Sequence, residues 1–301
     1  MAKVERGDHR GELSAFLRSR RARLGPEEAG LRAFGERRRV PGLRREELAQ
    51  LAGVSADYYV RFEQGRATNV SDSVIGAVAG ALRLDDTETA HLRRLLRAAA
   101  AGPRPPQAPP VQQVRPGLLQ LLRSMPGTPA FVVGRRTDVL AWNPLFATLI
   151  TDFAAIAEAH RNKARLVFLH EETRSRFVNW ETKARDLVAY LRLDLGRHPD
   201  DPVLARLLAE LSEKSPEFTR LWDLHEVRGK AHGGYHLRHP ATGEFTLAFE
   251  SLALPDDPDQ TLIMYTAEPG SPSEATLRIL AAQTRDREPR DAVTAAARQG
   301  V

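Results

Sequence analysis

Arg44 to Arg66 reads RREELAQLAGVSADYYVRFEQGR. On a helix, Ser55, Ala56, Asp57, Tyr58 and Arg61 fall together as short or polar side chains around one long cation. A guanidinium can donate two parallel hydrogen bonds to a guanine edge, and short neighbours let the backbone come close. This is chemistry for reading bases in the major groove of double-stranded DNA. Cations surround that face: Arg37, Arg38, Arg39, Arg44 and Arg45 lie within nine residues, and Arg66 follows the segment. Arg38, Arg39, Arg44, Arg45 and Arg66 are expected to hold phosphates, which fix register without carrying sequence information. A plain solvated basic loop is the alternative for the run at 37–45.

To present such a face, the segment must fold as two short helices joined by a sharp turn. Leu48 and Leu51 are expected to face inward from the first helix, with Ala49 small enough for close helix approach. Gly53 can take positive φ without a steric penalty, as the turn requires. Val54 fills the angle, and Ser55 is placed to accept a hydrogen bond from a free N–H of the second helix. Tyr59 and Phe62, three apart, share a face that packs on the first helix. Gly65 ends the second helix. In Ala49, Gly53, Ser55, the aromatic pair and Glu63-Gln64-Gly65-Arg66, the segment resembles the helix-turn-helix of the Xre/lambda-repressor class of bacterial transcription factors. The resemblance implies an all-α reader whose second helix enters the major groove. It also implies a structural ion pair between Arg21 and Glu63.

Charge supports this placement. Residues 1–101 carry 19 Lys+Arg against 14 Asp+Glu, whereas residues 102–301 carry 25 of each. The whole net charge of +5 therefore falls on the candidate reader. No apolar run is long enough to span a membrane, and the N-terminus lacks an apolar export core. With no cysteine there is neither a disulfide nor a Cys-ligated zinc. These features predict a cytoplasmic protein.

The chain organises into an expected helix-turn-helix domain over 1–101, a Pro-rich linker over 102–114, a second domain over 115–285 and a polar tail over 286–301. A first helix is predicted from about Glu12 to Leu24, then the connection GPEEAGLRAFGERRRVPGL. Ser71 is placed to cap a following helix, and Asp85 with Glu88 has capping-box spacing before another. In the second domain, PAFVVG and TDVLAWN read as two strands around Gly134-Arg135-Arg136. Helical periodicity then runs from Pro144 to about Leu224. Strands return as GGYHLRHP, EFTLAFESLAL and QTLIMYTAE, with turns at Pro240-Ala241-Thr242-Gly243 and Pro255-Asp256-Asp257-Pro258-Asp259. A last helix is predicted from Pro272 to Thr284. The sum is an α+β domain with an antiparallel sheet of about five strands, one face free to hold a guest.

That arrangement resembles a PAS-like sensor domain. RRRVPGLRREELAQLAG, PAFVVGRRTDVLAWNP, GRHPDDP, SPEF-x-x-LW, LRHPATGE and LALPDDPDQTLIMYT together resemble the MmyB-like family, in which an Xre reader is paired with a PAS-like ligand-binding domain. The resemblance implies control by a small apolar or amphipathic ligand. Its candidate pocket residues are Phe131, Trp142, Phe146, Trp180, Tyr190, Trp222 and Phe249, with Arg185 or His225 to orient a polar head group; ordinary core packing is the alternative for each. His225, His232, His236 and His239 cluster late, but strand alternation splits them and no carboxylate completes a metal set. No nucleophile elbow, HExxH or phosphate loop is present, so no catalytic residue or cofactor is expected and the chain is not read as an enzyme. One reader spans few base pairs, which predicts a homodimer on an inverted repeat. The rival readings are a second domain that only dimerises or binds a protein partner, and an enzyme fused to a DNA reader.

Overall fold

The computed structural model describes residues 9–31, 42–67, 69–101, 110–229 and 231–287. The chain divides into two compact units. One comprises Met1–Ala108, Arg192–Arg206 and Trp222–Gly229; the other comprises Pro109–Leu191, Leu207–Leu221 and Lys230–Val301. Two stretches from the middle of the expected second domain thus belong with the helix-turn-helix.

The first unit is built on α1 (His9–Arg23), α2 (Arg45–Leu51), α3 (Ala56–Glu63), α4 (Asp72–Ala81) and α5 (Asp86–Ala101). Local chemistry sets most of their ends. Ser55 Oγ accepts from Tyr58 N at 3.1 Å, and Ser71 Oγ accepts from Val74 N at 3.3 Å. Asp85 and Glu88 form a reciprocal box: Glu88 N donates to Asp85 Oδ1 at 2.8 Å and Asp85 N to Glu88 Oε2 at 3.2 Å. Gly53 and Gly65 both take φ of +65°, closing α2 and α3 with the left-handed residue each turn needs. Leu13, Phe16, Leu17, Leu48, Tyr59, Phe62, Val78 and Leu92 lose all exposure in the core. Leu193 and Val227 join that core from the two returning stretches. Leu51 departs from expectation. It keeps 37% of its surface, because α2 ends there and turns it outward.

Glu63 is the polar centre of this unit. Fully buried, it accepts from Arg21 Nε at 2.9 Å, Arg45 Nη2 at 2.8 Å and the Tyr59 hydroxyl at 3.2 Å. A second buried polar site surrounds His91 on α5, fully enclosed, with no hydrogen-bond partner for either ring nitrogen among the described residues.

The second unit is a five-stranded sheet in the order β2-β1-β5-β4-β3, with every pairing antiparallel. Its strands are β1 (Ala130–Val133), β2 (Val139–Trp142), β3 (His232–His239), β4 (Gly243–Leu254) and β5 (Asp257–Thr266). Two strands, a helical block and three strands follow one another as the sequence predicts. The expected five-residue turn before β5 is shorter: Leu254 pairs with Asp257, so β5 begins inside it. Helices α6 (Pro116–Arg123), α7 (Pro144–Ile150), α8 (Lys163–Leu169) and α9 (Glu171–Ser175) flank the first strands. Next come α10 (Trp180–Arg197), α11 (Pro202–Lys214) and α12 (Pro216–Trp222), and α13 (Pro272–Arg287) closes the described chain. Strand alternation gives β1 two buried faces: Ala130 and Val132 pack with Leu118 and Leu122 of α6, while Phe131 stacks on Phe146 of α7 at 4.0 Å. No described helix is long and apolar enough to cross a membrane.

Removing the Glu63 carboxylate leaves Arg21 and Arg45 facing each other beside a buried hydroxyl. Glu63→Ala is expected to cost about 3 kcal/mol, as loss of one partner from a buried ion pair does, read by urea unfolding. His91 gives the unit an acid limit. Burial, then Arg192, Arg94, Arg20 and His225, push its pKa down to about 3. The unfolded imidazole takes a proton below about 6.5 and the folded one does not, so stability falls as pH drops from 6.5 toward 3. At pH 5 that loss is about 2 kcal/mol, and His91→Phe should flatten the pH dependence of Tm between pH 7.5 and 5.

Candidate functional site

Two sites can be built from these elements, one in each unit. In the first, the core pair Tyr59 and Phe62 stacks with ring centroids 6.3 Å apart and fixes the rotation of α3. With those residues inward, Ser55, Asp57 and Arg61 are exposed, and Ala56 and Tyr58 are half-buried. Every residue expected to read bases is therefore at or near the surface of α3. Arg44 and Arg66, at the ends of the two helices, are exposed as well. Arg45 is placed differently: its guanidinium lies on Glu63, which makes it a structural partner of the Arg21–Glu63 pair. Arg38 and Arg39 lie outside the described residues.

The second site is a cavity of about 20 Å³ (the volume open to the centre of a water molecule) in the second unit. Phe131, Phe146, Phe153, Phe177 and Tyr265 supply rings; Ile150, Leu166 and Val167 supply aliphatic wall; Thr173, Lys163 and Lys183 supply the polar groups. The Lys163 ammonium stands 5.0 Å from the Phe131 ring centroid. The Lys183 ammonium stands 4.1 Å from that of Tyr235 and 5.1 Å from that of Phe177. Ring faces are electron-rich and attract a cation that has left water. Lys183 is almost wholly buried. Lys163 keeps part of its side chain exposed, yet desolvation of its ammonium lowers its pKa to about 8, offset in part by Asp186. Asp186 in turn accepts from the Tyr235 hydroxyl at 2.8 Å, and burial raises the pKa of that phenol.

A strained turn holds Lys163 in place. Between β1 and β2, Arg136 and Thr137 take φ of +56° and +67°, a costly region for residues with side chains. Asn162 compensates by donating to Arg136 O at 2.7 Å and Asp138 Oδ1 at 2.8 Å. Its carbonyl oxygen also accepts from Ala164 N and Arg165 N, capping α8. Lys163 is the first residue of that helix, where the helix dipole disfavours a cation.

Of the nine residues expected in a pocket, Phe131 and Phe146 line the cavity and the other seven do not. Trp142 packs on Phe153 and under Arg161. Trp180 donates to Val167 O at 2.9 Å and carries Arg174 on its ring, tying α8 to α10. Arg185 pairs with Glu181 along α10, on which Tyr190 is half-buried, and Phe249 stacks on Tyr235 at 4.9 Å. Trp222 and His225 belong to the first unit. The two lysines escaped the sequence reading, although one carried a signal: Lys183, Leu187 and Leu191 are four apart, on the face that α10 buries. His236 pairs with Glu244, and His239 reaches Thr148 O. No three His, Asp or Glu residues converge among the described residues.

Comparison with known proteins identifies a domain in each half of the chain. Residues 12–92 match a helix-turn-helix domain. Residues 114–280 match the MmyB-like transcription regulator ligand binding domain. No curated protein matches the chain. A DNA-reading helix pair followed by this ligand-binding domain, which alone covers more than half of the chain, makes the protein a DNA-binding transcription regulator of the MmyB-like family.

Proposed function

We propose that this regulator reads a specific operator through α3 and is controlled by a small amphipathic molecule with an anionic head, bound at the cavity of the second unit. The observation that carries the reading is the pair of ammonium groups, Lys163 and Lys183, set in a wall of aromatic and aliphatic side chains. Such a wall favours a hydrocarbon chain by burial, and desolvated cations favour a carboxylate or similar head. A volume of about 20 Å³ holds about one water, so a larger guest enters by displacing the rings that line it. No carboxylate or imidazole lines the cavity among the described residues, which supports binding over turnover.

On DNA, Arg61 is the base-reading cation, helped by Ser55, Ala56, Asp57 and Tyr58. Arg44 and Arg66, with Arg38 and Arg39, hold phosphates. The protein works as a homodimer on an inverted repeat, since one α3 contacts few base pairs. Its oligomeric mass in solution tests that assignment, and a monomer on operator DNA would reject it.

Arg61→Ala should weaken operator binding by about 1–3 kcal/mol and leave affinity for random DNA almost unchanged, measured by fluorescence anisotropy at fixed salt. Equal loss on both DNAs would remove Arg61 from base reading. Arg44→Ala should weaken both alike and reduce the salt slope by about 1. For the ligand site, decanoate is the probe and decanol its uncharged control. Protonated Lys163 attracts the carboxylate, and with a pKa of about 8 it loses that charge as pH rises from 7 to 9. Calorimetry should show decanoate affinity falling several-fold over that range while decanol affinity stays constant. A flat decanoate profile would reject the role of Lys163.

A further inference from the structure

The chain has five lysines, Lys3, Lys163, Lys183, Lys214 and Lys230, among 44 Lys+Arg. Arginine is the usual cation of this sequence, yet both cations that line the cavity of the second unit are lysines. The two side chains differ in what they can become. A guanidinium stays charged in proteins, whereas an ammonium drawn out of water can lose its proton and leave an amine with a lone pair. Two lysines in a wall of rings therefore keep a chemistry that two arginines would not have.

Lys163 has the surroundings such an amine needs. Its ammonium stands 5.0 Å from the Phe131 ring centroid, and among the described residues no oxygen accepts a hydrogen bond from it. Asp186 on α10 is the acidic group that acts on it, and that carboxylate already accepts from the Tyr235 hydroxyl of β3. Lys183 of α10 and Tyr265 of β5 are the other titratable groups in the cavity wall. Desolvation lowers the pKa of Lys163 to about 8. At pH 7 roughly one Lys163 in ten is then neutral, against fewer than about one in a thousand for an ordinary lysine. The cavity has room for about one water, so a product that water would hydrolyse is shielded there.

We propose that Lys163 is a covalent site for aldehydes that carry an apolar chain, bound as a reversible imine with the chain along the phenylalanine wall. The inference rests on the reading of this cavity as the ligand site and names a second ligand class for it. An acid pairs with the ammonium form of Lys163, and an aldehyde condenses with the amine form. The Nζ lone pair adds to the carbonyl carbon, and the proton that nitrogen sheds goes to the oxygen. That hydroxyl leaves as water with a proton from the Lys183 ammonium, which recovers it when the iminium becomes the imine. One C=N bond replaces one C=O bond, one water is released, and nothing is oxidised or reduced.

The test treats the full-length protein with decanal at neutral pH, with sodium cyanoborohydride present to fix any imine as a stable amine. Adducts are mapped by mass spectrometry after digestion. Lys214, more than half exposed on α11, is the reference amine. Lys163 should carry at least about tenfold more decyl adduct than Lys214, in line with its larger neutral fraction. Excess decanoate should suppress the Lys163 adduct and spare the one at Lys214. Lys163→Met should leave only labelling at the reference level, and the wild-type map decides the matter should that variant not fold. Equal labelling of both lysines would overturn the proposal, as would a Lys163 adduct that persists beside decanoate shown by calorimetry to bind. If calorimetry shows no decanoate binding while Lys163 is still selectively labelled, the anionic-head reading fails and the covalent site stands. If decanoate binds and Lys163 is not preferred, the covalent site fails and that reading stands.

Discussion

A carboxylate with no exposed surface, Glu63, sets where the recognition helix stands. A lone charge cannot remain inside a protein, so Glu63 must be met by cations and donors from its neighbours. Arg21 comes from α1, Arg45 from the start of α2 and Tyr59 from one turn earlier on α3. Three helices are thereby referred to one point at the end of the reading helix, and the outward face of α3 follows from that. Arg61 is exposed because Glu63 and Phe62 are not. Arg45 serves the same requirement, neutralising the buried carboxylate while 42% of its own side chain stays exposed.

The second unit meets a related constraint with the opposite outcome. Lys163 and Lys183 have been drawn out of water toward ring faces, and a carboxylate nearby, Asp186, attracts the first of them. Desolvation of the Lys163 ammonium outweighs the attraction of Asp186, so its placement costs stability where it stands. The turn at Arg136 and Thr137, with two residues at positive φ, adds to that cost and is held by Asn162. Strain and desolvation gathered around one small cavity mark a place kept for a purpose other than folding. Under the proposed ligand reading, a guest with a negative head group would relieve part of that cost.

The helical ends were legible in the sequence because capping is chemistry between residues two or three apart. Ser55, Ser71 and the Asp85–Glu88 box each cap the helix they were expected to cap. The strand order of events was legible too, since alternation of buried and exposed residues is a local pattern. The turn before β5 is shorter than its residues predict because proline signals a loop, whereas β5 admits Pro258 as its second residue. Leu51 lies outside the core that its spacing predicts, because helical spacing does not show where a seven-residue helix stops facing its partner. The tryptophans are the largest apolar side chains and so natural pocket candidates, yet Trp142 and Trp180 serve as packing and ties between elements. The cavity is walled by phenylalanines instead.

The sequence by itself determined the helix-turn-helix, the caps, the succession of helices and strands, and the side of α3 that carries Arg61. Each of these depends on residues close together in the chain, where spacing is geometry. Only the tertiary structure decided which cations are drawn into ion pairs with buried carboxylates. Arg44 and Arg45 are neighbours in sequence, but one is exposed and the other lies on Glu63. Lys163 and Lys183 meet one cavity from two helices, and Arg192 meets Glu12 across 180 positions of chain. Burial of a charge depends on partners brought from a distance, and no local pattern records where those partners will be.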